Sequence, residues 1–292
     1  MIVFSGFTLD HVDVGDVTLR VRTGGTGPPL LLLHGHPQTH VMWHRVAPVL
    51  AERHTLVLPD LRGYGDSGKP PTTDDHAPYS KRTMAADFVR LMERLGHETY
   101  GVVGHDRGGR VAYRLALDHP HRVTRLAVLD IVPTADMWRF ADRSGKRFGL
   151  VDYHWYFLAM PDGLAERVIT AAPSAYYFTG GRERFAAEAL ADYERCVANP
   201  ETVHAMCEDY RAGAGIDDEI DQADRAAGRR IQCPVLALWA GNDELGEWFD
   251  VLETWRGWAD DVTGHAVDSS HFMAEEAPDE VAAALLAFFG SQ

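Results

Sequence analysis

Short, largely apolar runs recur along the chain at Leu30–Leu33, Thr55–Leu58, Tyr100–Val103, Val123–Leu129 and Val235–Trp239. Each is too short for a typical helix and too uniformly apolar for a sheet face that meets water, which predicts central strands buried on both sides. Segments with helical spacing lie between them. Val41–Leu50 is one; another follows Ser80, a capping residue, with apolar positions at Met84, Phe88, Leu91 and Leu95 and a stop at Gly96. Arg110–Leu117 and Pro278–Phe289 complete the set. Phe7–Arg22 alternates apolar and polar residues around Gly15-Asp16, which predicts a β-hairpin, and a last strand is expected near Val262–Val267.

Repeated alternation of strand and helix predicts an α/β fold with a mostly parallel central sheet flanked by helices. The texture changes after Pro133. Thr134–Arg230 is rich in helix formers, aromatics and charges and has no clear strand pattern. The expected organisation is therefore a core domain, residues 1–132 and 231–292, with a helical cap over 133–230 inserted into it.

Composition narrows the function. The formal net charge of −15 argues against general affinity for nucleic acid or an anionic membrane surface, so an anionic ligand needs a local cluster of positive charge. Cys196, Cys207 and Cys233 form no even set and lack metal-ligand spacing. They fit a reducing, cytoplasmic compartment and no metal site. The first residues lack the basic and apolar regions of a signal peptide, and no stretch approaches the roughly 18 uninterrupted apolar residues of a membrane span.

The candidate chemistry centres on Gly104-His105-Asp106-Arg107-Gly108-Gly109, between a predicted strand and a predicted helix. This is the nucleophile-elbow pattern, with Asp where an ester hydrolase carries Ser. The turn strains its central residue, and small residues at 104 and 108 let neighbouring backbone pass closely. Asp106 then stands at a helix N-terminus, which favours an anion. In a sheet of this layout the residue after His34-Gly35 offers its backbone N–H to an oxyanion, which assigns that donor to His36. The His36 imidazole either faces the pocket or packs.

Ligands of open α/β sheets bind at the carboxyl ends of the strands, where Asp106, His36, Asp130, Asp243 and His271 are all expected. The order nucleophile, acid, His along the chain makes His271 the base, with either Asp130 or Asp243 able to orient it. A carboxylate nucleophile suits attack at a saturated carbon, giving an ester that His271-activated water then hydrolyses. The backbone N–H groups of His36 and Arg107 would hold the oxyanion. Arg107 and Arg110 share a helix face, and two guanidinium groups beside a nucleophilic carboxylate imply a substrate that carries its own carboxylate. The lid aromatics His154, Trp155 and Tyr210 can donate hydrogen bonds, although by themselves they read as lid core.

The sequence resembles the fluoroacetate dehalogenases of the α/β-hydrolase superfamily over nearly its whole length. The resemblance is carried by His34-Gly35-His36-Pro37-Gln38-Thr39-His40, Gly104-His105-Asp106-Arg107-Gly108, Leu129-Asp130-Ile131, Tyr153-His154-Trp155, Cys207–Gly213 and His271-Phe272. It implies hydrolysis of a haloacetate to glycolate and halide, with Asp106 as nucleophile, Asp130 as acid and His271 as base. It further implies that Arg107 and Arg110 bind the substrate carboxylate, that His154, Trp155 and Tyr210 bind the halide, and that the protein is a homodimer without cofactor. This chain departs from that pattern at His36, where the family usually has Phe, and in Gly241-Asn242-Asp243-Glu244, which supplies a second candidate acid.

An epoxide hydrolase would use the same Asp and His, with Tyr210 and Tyr153 as donors to the epoxide oxygen. A neutral epoxide gives the arginine pair nothing to bind. A hydrolase-fold receptor without turnover is a third reading, opposed by the complete nucleophile, acid and base.

Overall fold

A computed structural model describes residues 4–290. The strands are β1 (Thr8–Asp13), β2 (Thr18–Gly24), β3 (Pro29–Leu33), β4 (Thr55–Pro59), β5 (Tyr100–His105), β6 (Val123–Leu129), β7 (Val235–Ala240) and β8 (Val262–Val267). They form one sheet in the order β1-β2-β4-β3-β5-β6-β7-β8. The β1–β2 and β2–β4 pairings are antiparallel, and all others are parallel. The hairpin turns at Gly15, whose φ of 110° an L side chain would resist. Leu30–Leu33, Leu56–Leu58 and Tyr100–Val103 are buried throughout, as central parallel strands must be when helices cover both faces.

The single helix expected over Val41–Leu50 is instead two short pieces, a 3₁₀ turn at His40–Trp43 and a helix at Ala47–Leu50. Thr39 caps the first by accepting the Val41 N–H. Pro48 sits in the first turn of the second, where its missing N–H costs nothing, and could not continue a helix from upstream. The helix after Ser80 runs Lys81–Arg94 and is capped by the Ser80 side chain. Between β6 and β7 every regular element is helical, from Thr134–Ser144 to Ile216–Ala226. Among the described residues no helix is long and apolar enough to cross a membrane.

This excursion is tied to the core by buried polar groups. Arg114, on the helix Asp106–Asp118, pairs with Asp221 at 2.7 Å and Asp224 at 2.5 Å, and the Tyr113 hydroxyl donates to Asp221 at 2.6 Å. Asp209, on the helix Pro200–Ala214, receives Tyr64, Lys81 and Arg107 from three core segments. Each acceptor is thus matched to a cation or donor that would otherwise be stranded away from water.

Candidate active site

Asp106 follows β5 directly and opens the helix Asp106–Asp118. Its φ of 47° is the left-handed conformation that a strand-to-helix elbow forces on its apex. The glycines around it are sterically required. A Cβ on Gly104 would stand 2.5 Å from the Gly108 carbonyl oxygen, and one on Gly108 would stand 2.3 Å from that of His34. The His36 backbone N–H donates to Asp106 Oδ1 at 2.7 Å. The Arg107 N–H, expected beside it, forms no such bond in this structure. Burial would raise the Asp106 carboxyl. The charges of His271 and Arg107, the neighbouring His105 ring and the His36 N–H overcome it and hold the group well below the usual carboxylate range.

The loop carrying His36 is braced from behind. His34 accepts the Leu61 N–H at Nε2, 2.9 Å away, which leaves its proton on Nδ1, 2.9 Å from the Gly35 carbonyl.

Asp130 follows β6 and is also left-handed, with φ of 54°. Its Oδ2 lies 2.6 Å from His271 Nδ1, while its Oδ1 accepts the Ala240 N–H of β7 at 2.9 Å. Asp243 also comes close, with a ligand-capable oxygen within 4.8 Å of those of Asp130 and His271. Its Oδ1, however, accepts the Glu244 N–H at 2.8 Å. Of the two acids left open by the sequence, Asp130 is therefore the one hydrogen-bonded to the imidazole. Burial pulls the His271 ring down, but the Asp130 hydrogen bond and the charges of Asp130, Asp106 and Asp243 carry it up to about 9. His105 Nε2 meets the His271 carbonyl at 2.8 Å, and burial lowers that ring to about 4. A neutral His105 thus donates to the backbone of His271, a contact that the sequence does not announce.

Asp106, Asp130 and His271 open onto a cavity of about 350 Å³ that also exposes Arg110, His154, Trp155 and Tyr210. The two arginines do not behave alike. Arg107 donates Nε and Nη2 to the two carboxylate oxygens of Asp209, each at 2.9 Å, and only its Nη1 is left without a partner. Asp209, next to Tyr210 on the same helix, thus occupies most of the Arg107 fork. Arg110 is 2% exposed and forms no ion pair among the described residues. Its Nη1 donates to the Val132 carbonyl at 3.1 Å and to Thr134 Oγ1 at 3.2 Å, and its Nε is sealed without a partner.

Each guanidinium stacks on a cavity aromatic. Arg110 lies 4.5 Å from the centroid of Trp155, and Arg107 lies 4.2 Å from that of Tyr210. Trp155 Nε1 and Tyr210 Oη donate to no protein group among the described residues, so both remain available to a ligand. The His154 ring, 5.7 Å from that of Tyr210, is lowered to about 4 by burial and is neutral near pH 7. Asp152 was not singled out from the sequence. It lines the same cavity, and burial pushes its carboxyl up to about 6 against the pull of His271.

Comparison with known proteins places these features in a lineage. A family model of the alpha/beta hydrolase fold matches residues 28–278. A fluoroacetate dehalogenase from a Burkholderia species is 43% identical, over 98% of this chain and 95% of that protein. A soluble epoxide hydrolase from a Corynebacterium species is 35% identical, over 91% of this chain and 92% of that protein. A solved Nostoc structure, assigned provisionally to the alpha/beta hydrolases, superposes with a TM-score of 0.96 at 48% identity, covering 99% of this chain and 100% of that one.

Proposed function

The chain belongs to the alpha/beta hydrolase family, and from that premise we propose that it is a haloacetate dehalogenase that hydrolyses 2-haloacetates, fluoroacetate among them, to glycolate and halide. The observation that carries this reading is Arg110, a guanidinium buried in the cavity wall with no carboxylate to pair with among the described residues. Leaving a charge so is costly unless a ligand supplies its counterpart, and a carboxylate fits the guanidinium fork. The 43% identical fluoroacetate dehalogenase supports the same substrate class.

In this mechanism an Asp106 oxygen attacks the halogen-bearing carbon from the side opposite the halogen. The carbon–halogen bond breaks with its electron pair leaving on the halide, and a glycolyl ester of Asp106 forms. Arg110, aided by Arg107 Nη1, holds the substrate carboxylate, while His154, Trp155 and Tyr210 replace water around the departing halide. His271 then takes a proton from water, whose oxygen attacks the ester carbonyl carbon. The His36 and Arg107 N–H groups face the resulting oxyanion, and its collapse releases glycolate and restores the Asp106 carboxylate.

The electrostatics suit this order. In the resting site His271 is raised to about 9 partly by the Asp106 charge, so at neutral pH it is an imidazolium beside the nucleophile. Esterification removes that charge, the imidazole pKa falls, and the ring becomes a base when one is needed.

The reading also takes the helical segment 133–230 as a cap over the core. It takes a small anionic haloacid as the ligand and, with three free buried cysteines, a cytoplasmic setting. From the family resemblance it takes a homodimer. The soluble epoxide hydrolase relative favours a second reading, in which Tyr210 and Tyr153, both in the cavity lining, donate to an epoxide oxygen. One panel decides between them: halide release from fluoro-, chloro- and bromoacetate, set beside diol formation from small neutral epoxides. Haloacetate turnover that collapses in Arg110→Ala supports the first reading. Epoxide turnover indifferent to Arg110→Ala supports the second.

A further inference from the structure

The wall between the nucleophile and Tyr210 holds two polar groups that the proposed mechanism leaves idle. His36 is 9% exposed and lines the cavity. Its ring lies 5.1 Å from that of Tyr210 and 5.2 Å from that of Tyr177, centroid to centroid. Its Nδ1 is sealed from solvent with no hydrogen-bond partner, and so is the Tyr177 hydroxyl. His36 Nε2 likewise bonds to no protein group among the described residues, but it is not sealed. The ring therefore meets the cavity by that edge.

The protonation state follows from the same geometry. Burial lowers His36 to about 3, so the imidazole is neutral and carries one proton. Placing that proton on the sealed Nδ1 would strand a donor with no acceptor, which is the expensive choice. Carried on Nε2, it is offered to whatever occupies the cavity. Its location decides what it meets. The His36 ring packs edge-on against Tyr210, as the His154 ring does. The His36 ring thus lies beside Tyr210 and in the same cavity wall as His154 and Trp155, the groups that the proposed mechanism gives to the leaving halide.

We propose that the His36 imidazole is a fourth donor to the departing halide and a determinant of leaving-group specificity, tuning the site toward fluoride. This rests on the dehalogenase reading for its substrate. Fluoride concentrates its charge on a small ion and gains most from each added donor, whereas bromide spreads its charge and gains little.

His36→Phe removes the ring donor and keeps the backbone N–H that contacts Asp106. Fluoride binding to the resting protein, read by fluorine NMR line broadening, should weaken about tenfold or more, as expected for loss of a hydrogen bond to an ion. The ratio of kcat/KM for fluoroacetate to that for bromoacetate should fall by a similar factor. His36→Gln, which restores an N–H, should recover part of both. Tyr177→Phe should change the ratio less, since its hydroxyl is sealed.

Unchanged fluoride binding and an unchanged ratio in His36→Phe overturn the proposal. So does an equal loss on both substrates that His36→Gln fails to rescue, which would assign the ring to packing. If His36→Phe does not fold, His36→Met carries the same comparison. If the wild-type protein turns over no haloacetate yet loses fluoride binding in His36→Phe, the dehalogenase reading fails and the donor assignment stands.

Discussion

Arg107 and Asp209 form a bidentate pair, with Arg107 Nε and Nη2 each 2.9 Å from a different carboxylate oxygen and Nη2 also 2.8 Å from the Asp209 carbonyl. The pair joins the elbow helix to the helix that carries Tyr210, so one interaction sets the spacing between Asp106 and Tyr210. Lys81 and the Tyr64 hydroxyl converge on the same carboxylate, and the resulting charge field holds Asp209 ionised in spite of its burial. Removing that carboxylate strips Arg107 of its ion-pair partner and leaves Lys81 with Asp217 alone, 3.4 Å away. Asp209→Asn should therefore destabilise the protein by about 3–5 kcal/mol, the usual penalty for breaking a buried ion pair from one side. Urea unfolding measures the loss. The variant should also turn over fluoroacetate poorly where it remains folded, because Tyr210 loses its anchor.

The covalent intermediate is tested with water labelled in its oxygen. In a single turnover with excess enzyme, label should enter the Asp106 carboxylate, detected by mass spectrometry of the peptide that contains it. Label passing straight into glycolate would mean direct attack by water. His271→Asn should release about one halide per site and then stall as the ester. Unimpaired steady turnover would remove His271 from the mechanism.

The two acids beside the base should separate sharply. Asp130→Asn breaks the 2.6 Å contact with Nδ1 and should cost on the order of 10⁴ in kcat, the loss seen when a triad Asp becomes Asn. Asp243→Asn leaves that contact in place and should cost far less. The reverse ranking would transfer the role to Asp243.

The pH dependence has two parts of opposite sign. His271 in the free enzyme is raised to about 9. It is a cation below that pH and becomes neutral as pH rises through it. Loss of the cation weakens the hold on an anionic substrate, so kcat/KM for haloacetates should fall as pH rises through about 9. Hydrolysis of the ester needs the neutral ring, and the ester lacks the Asp106 charge that helped raise its pKa. Decay of the isolated ester should therefore accelerate with rising pH, with a midpoint below 9. A common midpoint for both steps would show that the Asp106 charge is not coupled to His271.

Trp155→Phe removes an N–H that no protein group uses. Fluoroacetate turnover should drop more than bromoacetate turnover, provided carbon–halogen cleavage limits both rates. Equal losses would mean that Trp155 shapes the cavity wall rather than stabilising the halide.

The parts legible in sequence are those fixed by short-range rules. Leu30–Leu33 and Val235–Leu238 read as buried strands because parallel strands under two helical layers have no polar face to show. The elbow at Asp106 was legible because only small residues survive the approach of Gly108 to His34. The helix expected at Val41–Leu50 is broken because Pro48 has no N–H to return to the preceding turn, which apolar periodicity does not register. The fate of Arg107 could not be read, since its partner lies at Asp209, in another part of the chain, and helix spacing reports only which residues share a face. Asp152 escaped for a related reason. A lone acid next to a tyrosine looks like a solvated loop until a cavity closes over it. The free ring of His36 depends on what is missing around Nδ1, and absence of a partner leaves no mark in a sequence.

Asp130 has a further consequence. Its backbone N–H bonds to the Leu238 carbonyl at 2.8 Å, and its Oδ1 receives the Ala240 N–H. The long excursion between β6 and β7 leaves the sheet just after this residue and returns along the strand that grips it. The two ends of the excursion are thus stitched together at its root, by a residue that also bonds to the His271 ring. Length, sequence and shape can change above that stitch without disturbing the register of Asp130 and His271 beneath it. Such a joint behaves like a socket: the Asp130–His271 contact stays with the sheet, whatever is plugged in above it.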